Sequence, residues 1–201
     1  MAVPKIVDHE KVKEELLRPC LRLFAEKGYA AVTMREISRE LCVSTGTLYH
    51  YFPTKEFLFE EVARFVVQED VRELREFQAE MRNTNSLEQL KSLFEFAENR
   101  EEHFRDMILL ACDVYRHDSL KDESRILEEC SKIYRESIRA HLGIGSKDLE
   151  NMFFGILIGT VFQRMLETRI VDFRSTFHIL HSLWPLMTNI NLFEPSSKAE
   201  N

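Results

Sequence analysis

The sequence predicts an all-α protein of about nine helices. Val, Ile and Thr are sparse beside Leu, Phe, Glu and Arg, a bias toward helix formers. Apolar residues recur at three- and four-residue spacing, as in Val12, Leu16, Leu17, Cys20, Leu21 and Phe24. Only 5 Pro and 6 Gly occur in 201 residues, which leaves little room for long irregular regions. That length, with 44% hydrophobic and 30% charged residues, suits one mid-sized soluble domain or two small ones with a real core.

The elements follow in order. Asp8 can cap a first helix that ends at Lys27-Gly28, where glycine suits a left-handed terminus. Pro19 lies inside this helix, removes a hydrogen bond and crowds the preceding turn, so a kink or break is expected there. Thr33-x-x-Glu36 reads as a capping box for a short second helix, with Ile37 and Leu41 facing inward. Ser44 can cap a third helix ending near Tyr51-Phe52-Pro53, and Thr54 a long fourth one running to about Met81. Residues 83–85 form a loop. Breaks at 99–102, 116–119, 143–146 and 168–172 then delimit helices near 86–98, 101–116, 120–141, 147–168 and 173–193. Pro185 should kink the last of these, and 194–201 is read as a frayed tail.

Charge narrows the partners. The net charge is −7, but residues 1–60 carry nine basic and nine acidic residues, while 61–201 carry 18 and 25. A non-specific polyanion binder would look different, so any nucleic-acid contact must be local and confined to the first third. Cys20, Cys42, Cys112 and Cys130 form no C-x-x-C pair and have no flanking His at zinc-ligand spacing. They read as reduced thiols in a cytoplasmic protein, with no metal and no cofactor expected. The N-terminal segment has no continuous apolar core and reads as no signal peptide. The longest nearly uncharged run, 152–163, is too short to span a bilayer, so no membrane partner is expected. No Gly-rich phosphate loop, G-x-S-x-G, H-E-x-x-H or paired-carboxylate motif occurs, so no enzyme is expected.

Residues 33–52 form a helix, a tight turn and a second short helix. That is a helix-turn-helix pattern, whose second helix enters the DNA major groove with its N-terminal residues at the base edges. Ser44, Thr45, Thr47 and Tyr49 offer short donors for phosphates and bases. Gly46 lets the backbone approach the duplex. Leu48 and Phe52, four apart, can anchor the helix, and His50 and Tyr51 finish it. Lys55 opens the next helix, where a cation and free N–H groups suit a phosphate, and Arg35 is a second candidate cation. The plainer reading is that Ser and Thr cap two helices and the aromatics are core.

The segment GYAAVTMREISRELCVSTGTLYHYFPTKEFLFEEV, with LFAEKGY at 23–29 opening it, resembles the DNA-binding domain of the TetR/AcrR family of bacterial transcription regulators. The order T-x-x-x-I, V-S-x-G-T-L-Y-x-Y-F, K-E-x-L carries the likeness, which covers roughly residues 9–62. It implies that Thr33 and Arg35 contact the DNA backbone, with one base in reach. Thr45, Gly46 and Thr47 would lie in the groove, Tyr49 and His50 on phosphates, Ser44 at the cap with a phosphate in reach, and Lys55 as a backbone clamp. Two departures stand out. Cys42 occupies the turn position where the family usually has glycine, and Pro19 falls in a normally unbroken first helix. If Cys42 is left-handed, its side chain costs roughly 1 kcal/mol. Few cations flank that thiol, so a lowered pKa and a redox role have little support.

The domains read as 1–54 for DNA binding, continuing into a linking helix over 55–81, and 82–201 for ligand binding and dimerisation. One recognition helix covers too few base pairs, so a homodimer on a palindromic double-stranded operator is expected. The candidate dimer surface is 152–166 with 173–190. Gly155 and Gly159 form G-x-x-x-G there, and Phe173 and Leu180 lie on the last helix. The resemblance implies that these two helices build a four-helix bundle with their symmetry mates. Phe94, Phe104, Met107, Tyr115, Tyr134, Phe154, Phe162 and Trp184 are candidate walls for an apolar or aromatic effector, with His103 and His117 as polar additions. Each is equally readable as core or surface. The family implies a repressor released by that unknown small molecule. The alternative is a helical protein–protein interaction module that keeps the helix-turn-helix core without reading DNA.

Overall fold

The computed structural model describes residues 9–80, 85–116, 124–167 and 171–189. Among the described residues every regular element is an α-helix. They are α1 (His9–Lys27), α2 (Met34–Glu40), α3 (Thr45–Tyr51), α4 (Lys55–Glu80), α5 (Ser86–Asn99), α6 (Glu101–Arg116), α7 (Ser124–Leu142), α8 (Lys147–Leu166) and α9 (Phe173–Asn189). The Asp8 cap, His117, the tail from 194 and the helix ends expected at 81, 120 and 193 lie outside the described residues.

α1 runs unbroken through Pro19. Proline leaves the carbonyl four residues back without its N–H, here that of Glu15. Both residues are exposed, so water can take that carbonyl and the helix need not end. α9 likewise continues through Pro185. α1 terminates where Gly28 adopts φ +79° and its N–H reaches Phe24 O at 2.8 Å.

The chain divides into two compact units. One holds Met1–Gln68 with Leu109–Glu128, the other Glu69–Ile108 with Glu129–Asn201. In the first, Ile37, Leu48, Phe52, Leu58 and Val62 are fully buried. The Phe59 ring meets Phe24 at 5.3 Å and Tyr29 at 5.1 Å, both edge-on, a geometry that aromatic pairs prefer. In the second unit α5 packs on α9. Its core includes Leu90, Phe94, Phe153, Phe173, Leu180 and Trp184. A reciprocal capping box starts α5: Asn85 Oδ1 accepts from Leu87 N and Glu88 N, and Glu88 Oε2 accepts from Asn85 N.

The second unit also buries charge. Asp70 on α4 accepts from Arg100 at 2.6 Å, from His103 Nε2 at 2.9 Å and from Tyr134 Oη at 2.5 Å. Arg100 pairs with Glu73 as well. Burial, then the Asp70 charge, holds the Tyr134 hydroxyl well above its ordinary pKa, so it stays a donor. A buried carboxylate held by three donors fixes the register of α4, α6 and α7.

Candidate nucleic-acid interface

The turn between α2 and α3 explains the cysteine. Cys42 has φ +55°. Its N–H donates to Arg39 O at 3.1 Å, and Val43 N–H donates to Ser38 O at 2.9 Å. Those two bonds are the Schellman pattern, in which the residue after the helix must be left-handed. A cysteine therefore carries the strain that glycine would avoid. The thiol is exposed. Cys20, by contrast, is buried, donates to Leu16 O at 3.1 Å, and has its thiol pushed up to about 12 by burial.

Both reading-head helices carry an N-cap bond, but the capping box expected at Thr33 is only half made, because Glu36 Oε1 accepts from Lys27 Nζ at 2.7 Å. Thr33 Oγ1 accepts from Glu36 N at 3.2 Å, and Ser44 Oγ accepts from Thr47 N at 2.9 Å. Ser44 and Thr47 also share a 2.7 Å hydroxyl contact, and Thr45 Oγ1 lies 3.1 Å from Ser38 Oγ. α2 packs on α3, and Leu48 and Phe52 pin α3 from beneath with no exposure. The opposite face is open: Gly46, Thr47, Tyr49 and His50 are exposed, as are Arg35 and Thr33 on α2. A Cβ at Gly46 would meet only Ser44 Oγ, at 3.8 Å.

Lys55 is placed differently from the rest. Its ammonium donates to Tyr29 O and Val32 O, each at 3.0 Å, and sits 4.1 Å over the Tyr29 ring. Tyr29 Oη donates to Glu56 Oε1 at 2.9 Å, and Glu56's own backbone N–H and this hydroxyl lower the carboxyl pKa. Tyr29 N–H donates to the buried Asp113 at 2.6 Å. Tyr29 is thus a hub that ties the start of α4 and residue 113 to the end of α1. Nothing in the local sequence signals Asp113, because it lies 84 residues from its partner. His9 Nδ1 lies 3.2 Å from Tyr51 Oη, beside His50.

In the second unit, the expected effector residues separate. Phe94 and Trp184 are core, while Phe104 and Phe154 are half-buried against it. Met107 and Tyr134 are half-buried too, and Phe162 is exposed. Tyr115 belongs to the first unit and is 82% exposed. Of the expected dimer residues, Phe173 and Leu180 are buried in the core, whereas Gly155 and Gly159 have open space where a Cβ would stand.

A small helix-turn-helix unit followed by a larger helical unit defines the class of protein: a helical DNA-binding regulator fold. Residues 13–62 match the family model of the bacterial regulatory proteins of the TetR family. A similar curated protein is the uncharacterized HTH-type transcriptional regulator YerO of Bacillus subtilis (strain 168), 26% identical over 72% of this chain and 53% of that protein. Another is the HTH-type transcriptional repressor KstR2 of Rhodococcus jostii (strain RHA1), 27% identical over 68% of this chain and 66% of that one. The chain thus spans between about half and two thirds of the length of these relatives. The solved fold of the transcriptional regulator FadR from Bacillus subtilis in complex with stearoyl-CoA is also similar. Its TM-score is 0.61 at 18% identity, over 84% of this chain and 95% of that one. No helix among the described residues is long and apolar enough to cross a membrane.

Proposed function

We propose that the chain is a cytoplasmic transcriptional repressor that binds a palindromic operator as a homodimer and is released by a small apolar or aromatic effector. The observation that carries DNA binding is α3 itself: a capped helix pinned by Leu48 and Phe52, with Gly46, Thr47, Tyr49 and His50 turned outward. Thr33 and Arg35 extend the same surface from α2, Ser44 and Thr45 support it, and Lys55 steadies the α4 entry. Residues 1–54, with 55–81 as link, form the reading part, and 82–201 the responsive part. Repression is supported by the printed name of the KstR2 relative, and effector binding by the stearoyl-CoA complex of a fold neighbour.

Dimerisation is supported by two exposed apolar rows. On α8, Met152, Gly155, Phe162 and Leu166 recur at helical spacing, with the half-buried Gly159 between them; on α9, Ile179, Leu183 and Leu186 do so. Phe173 and Leu180 back the second row from the core. Sedimentation of the wild type should give twice the 23.8 kDa chain mass. Gly159→Leu fills space open in one chain, so it should leave the monomer folded and shift the sedimenting mass toward one chain. A wild-type monomer at micromolar concentration defeats the dimer. Duplex DNA enriched by the protein from a random-sequence pool should bind with affinity that falls with salt. Absence of enrichment would favour the interaction-module reading, to which the inward-turned Lys55 lends support.

A further inference from the structure

One ion cluster in the second unit is under-satisfied. Glu150, in the first turn of α8, has a side chain only 9% exposed. Arg135 and Arg139, one turn apart on α7, hold their Nε atoms 3.8 and 3.7 Å from its two carboxylate oxygens. Those are ion-pair separations, beyond hydrogen-bond reach. Glu150 Oε2 has no hydrogen-bond partner among the described residues. Neither guanidinium donates a side-chain hydrogen bond within the described residues. A buried carboxylate ordinarily gathers donors, as Asp70 does, so both an acceptor and a pair of forked donors are left unused in one place. The cluster borders an aromatic wall. Arg135 lies over the Phe154 ring at 5.7 Å, Phe154 stacks on Tyr134 at 6.2 Å, and Tyr134 meets Phe104 edge-on at 6.4 Å.

We propose that Arg135, Arg139 and Glu150 form the head-group site for an aromatic hydroxy-carboxylate. The guanidiniums take the carboxylate, Glu150 Oε2 accepts from the hydroxyl, and the ring lies on the Tyr134–Phe154 wall. Two arginines against one glutamate leave one positive charge, which matches a monoanion and repels a cation. A plain carboxylate would leave Oε2 unpaired, and a plain alcohol would forgo the charge-assisted bonds to the guanidiniums. The identity of the ligand class rests on the effector reading above; the site itself does not.

The test is calorimetric titration of the full chain with mandelate, phenylacetate and 2-phenylethanol. Mandelate should bind about fivefold tighter than phenylacetate, the worth of one hydroxyl hydrogen bond, and more than ~tenfold tighter than the alcohol. Arg139→Gln should erase the preference of acid over alcohol, and Arg139→Lys should restore it in part. Glu150→Met removes the acceptor and should erase the preference of mandelate over phenylacetate while phenylacetate still binds. Thermal melts of each variant show that it is folded. Equal binding of the three probes, no binding of any, or preferences unchanged in the variants overturns the site. If the preferences hold but mandelate leaves DNA binding untouched, the site stands and the effector reading falls. If the preferences fail but a neutral aromatic releases DNA from wild type and all three variants alike, the effector reading stands and the site falls.

Discussion

Replacing Gly46 with alanine should raise stability and lower DNA affinity together. Gly46 is exposed in the first turn of α3 and its φ is not left-handed. An added Cβ meets Ser44 Oγ at 3.8 Å, ordinary contact, and nothing else within 4 Å. The free protein therefore accommodates alanine without strain and sheds the entropic penalty of glycine in a helix, a gain of about 0.5–1 kcal/mol. For a chain of this length that raises Tm by roughly 1–4 °C. In the proposed complex the same methyl would stand where the helix backbone meets the duplex. Loss of that approach should cost about 1–3 kcal/mol, comparable to losing one base contact, or roughly 5- to 150-fold in Kd. Fluorescence anisotropy on the enriched duplex and a thermal melt read the two effects separately. A stabilised variant that binds DNA as tightly as wild type refutes the close approach, and with it the placement of α3 in the groove. A destabilised variant refutes the reading of the open space.

The other substitutions probe single features. Lys55→Met removes two charge-assisted bonds to Tyr29 O and Val32 O, so the free protein should lose about 1–3 kcal/mol in urea unfolding, whatever happens to DNA affinity. Cys42→Gly relieves a left-handed residue at the expense of a freer unfolded chain, for a net gain of up to about 1 kcal/mol, whereas Cys42→Val should destabilise; equal midpoints for all three refute the strain. Burial lowers the His141 pKa, and its Nε2 sits 3.0 Å from Gln89 O and 2.8 Å from Ser92 Oγ. The unfolded chain binds that proton more readily, so stability is whole above about pH 6.5 and falls as pH drops through and below it, by at most ~1.4 kcal/mol per unit. Urea midpoints at pH 7 and pH 5 should show this fall, and His141→Gln should reduce it.

Local chemistry was legible in the chain, and long-range chemistry was not. Thr33, Ser44 and Gly28 act as their types and neighbours suggest, because caps and helix ends are settled within four or five residues. Cys42 could be read conditionally, since only the turn geometry decides whether its φ is positive. Asp113 could not be read at all. Its burial and its bond to Tyr29 N depend on α6 entering the first unit, and no periodicity encodes which unit a helix joins. Asp70 and its three donors were hidden for the same reason. α9 shows a third limit. Leu180 and Ile179 are adjacent apolar residues, yet one is core and the other exposed. When a helix carries apolar residues on more than one face, spacing fixes that part of it is buried but not which row faces its own chain.

The neutrality of the first 60 residues takes on a mechanical meaning once the side chains are placed. Ser44, Thr45 and Thr47 hydroxyls already satisfy one another or the helix ends, and Lys55 is committed to backbone carbonyls. What remains outward among the described residues of the head is a short set: Thr33, Arg35, Arg39, Tyr49, His50 and the Gly46 backbone. With so few cations, each head neutralises few phosphates, and the salt dependence of a single head must be shallow. In the proposed dimer, affinity would then depend on presenting two heads together, where the second binds at the high effective concentration set by the first. Such a dimer would hold random DNA weakly and respond strongly to anything that spoils the pairing. A change in head spacing would then release DNA more effectively than any loss of charge, with no contact needed between effector and DNA-binding surface.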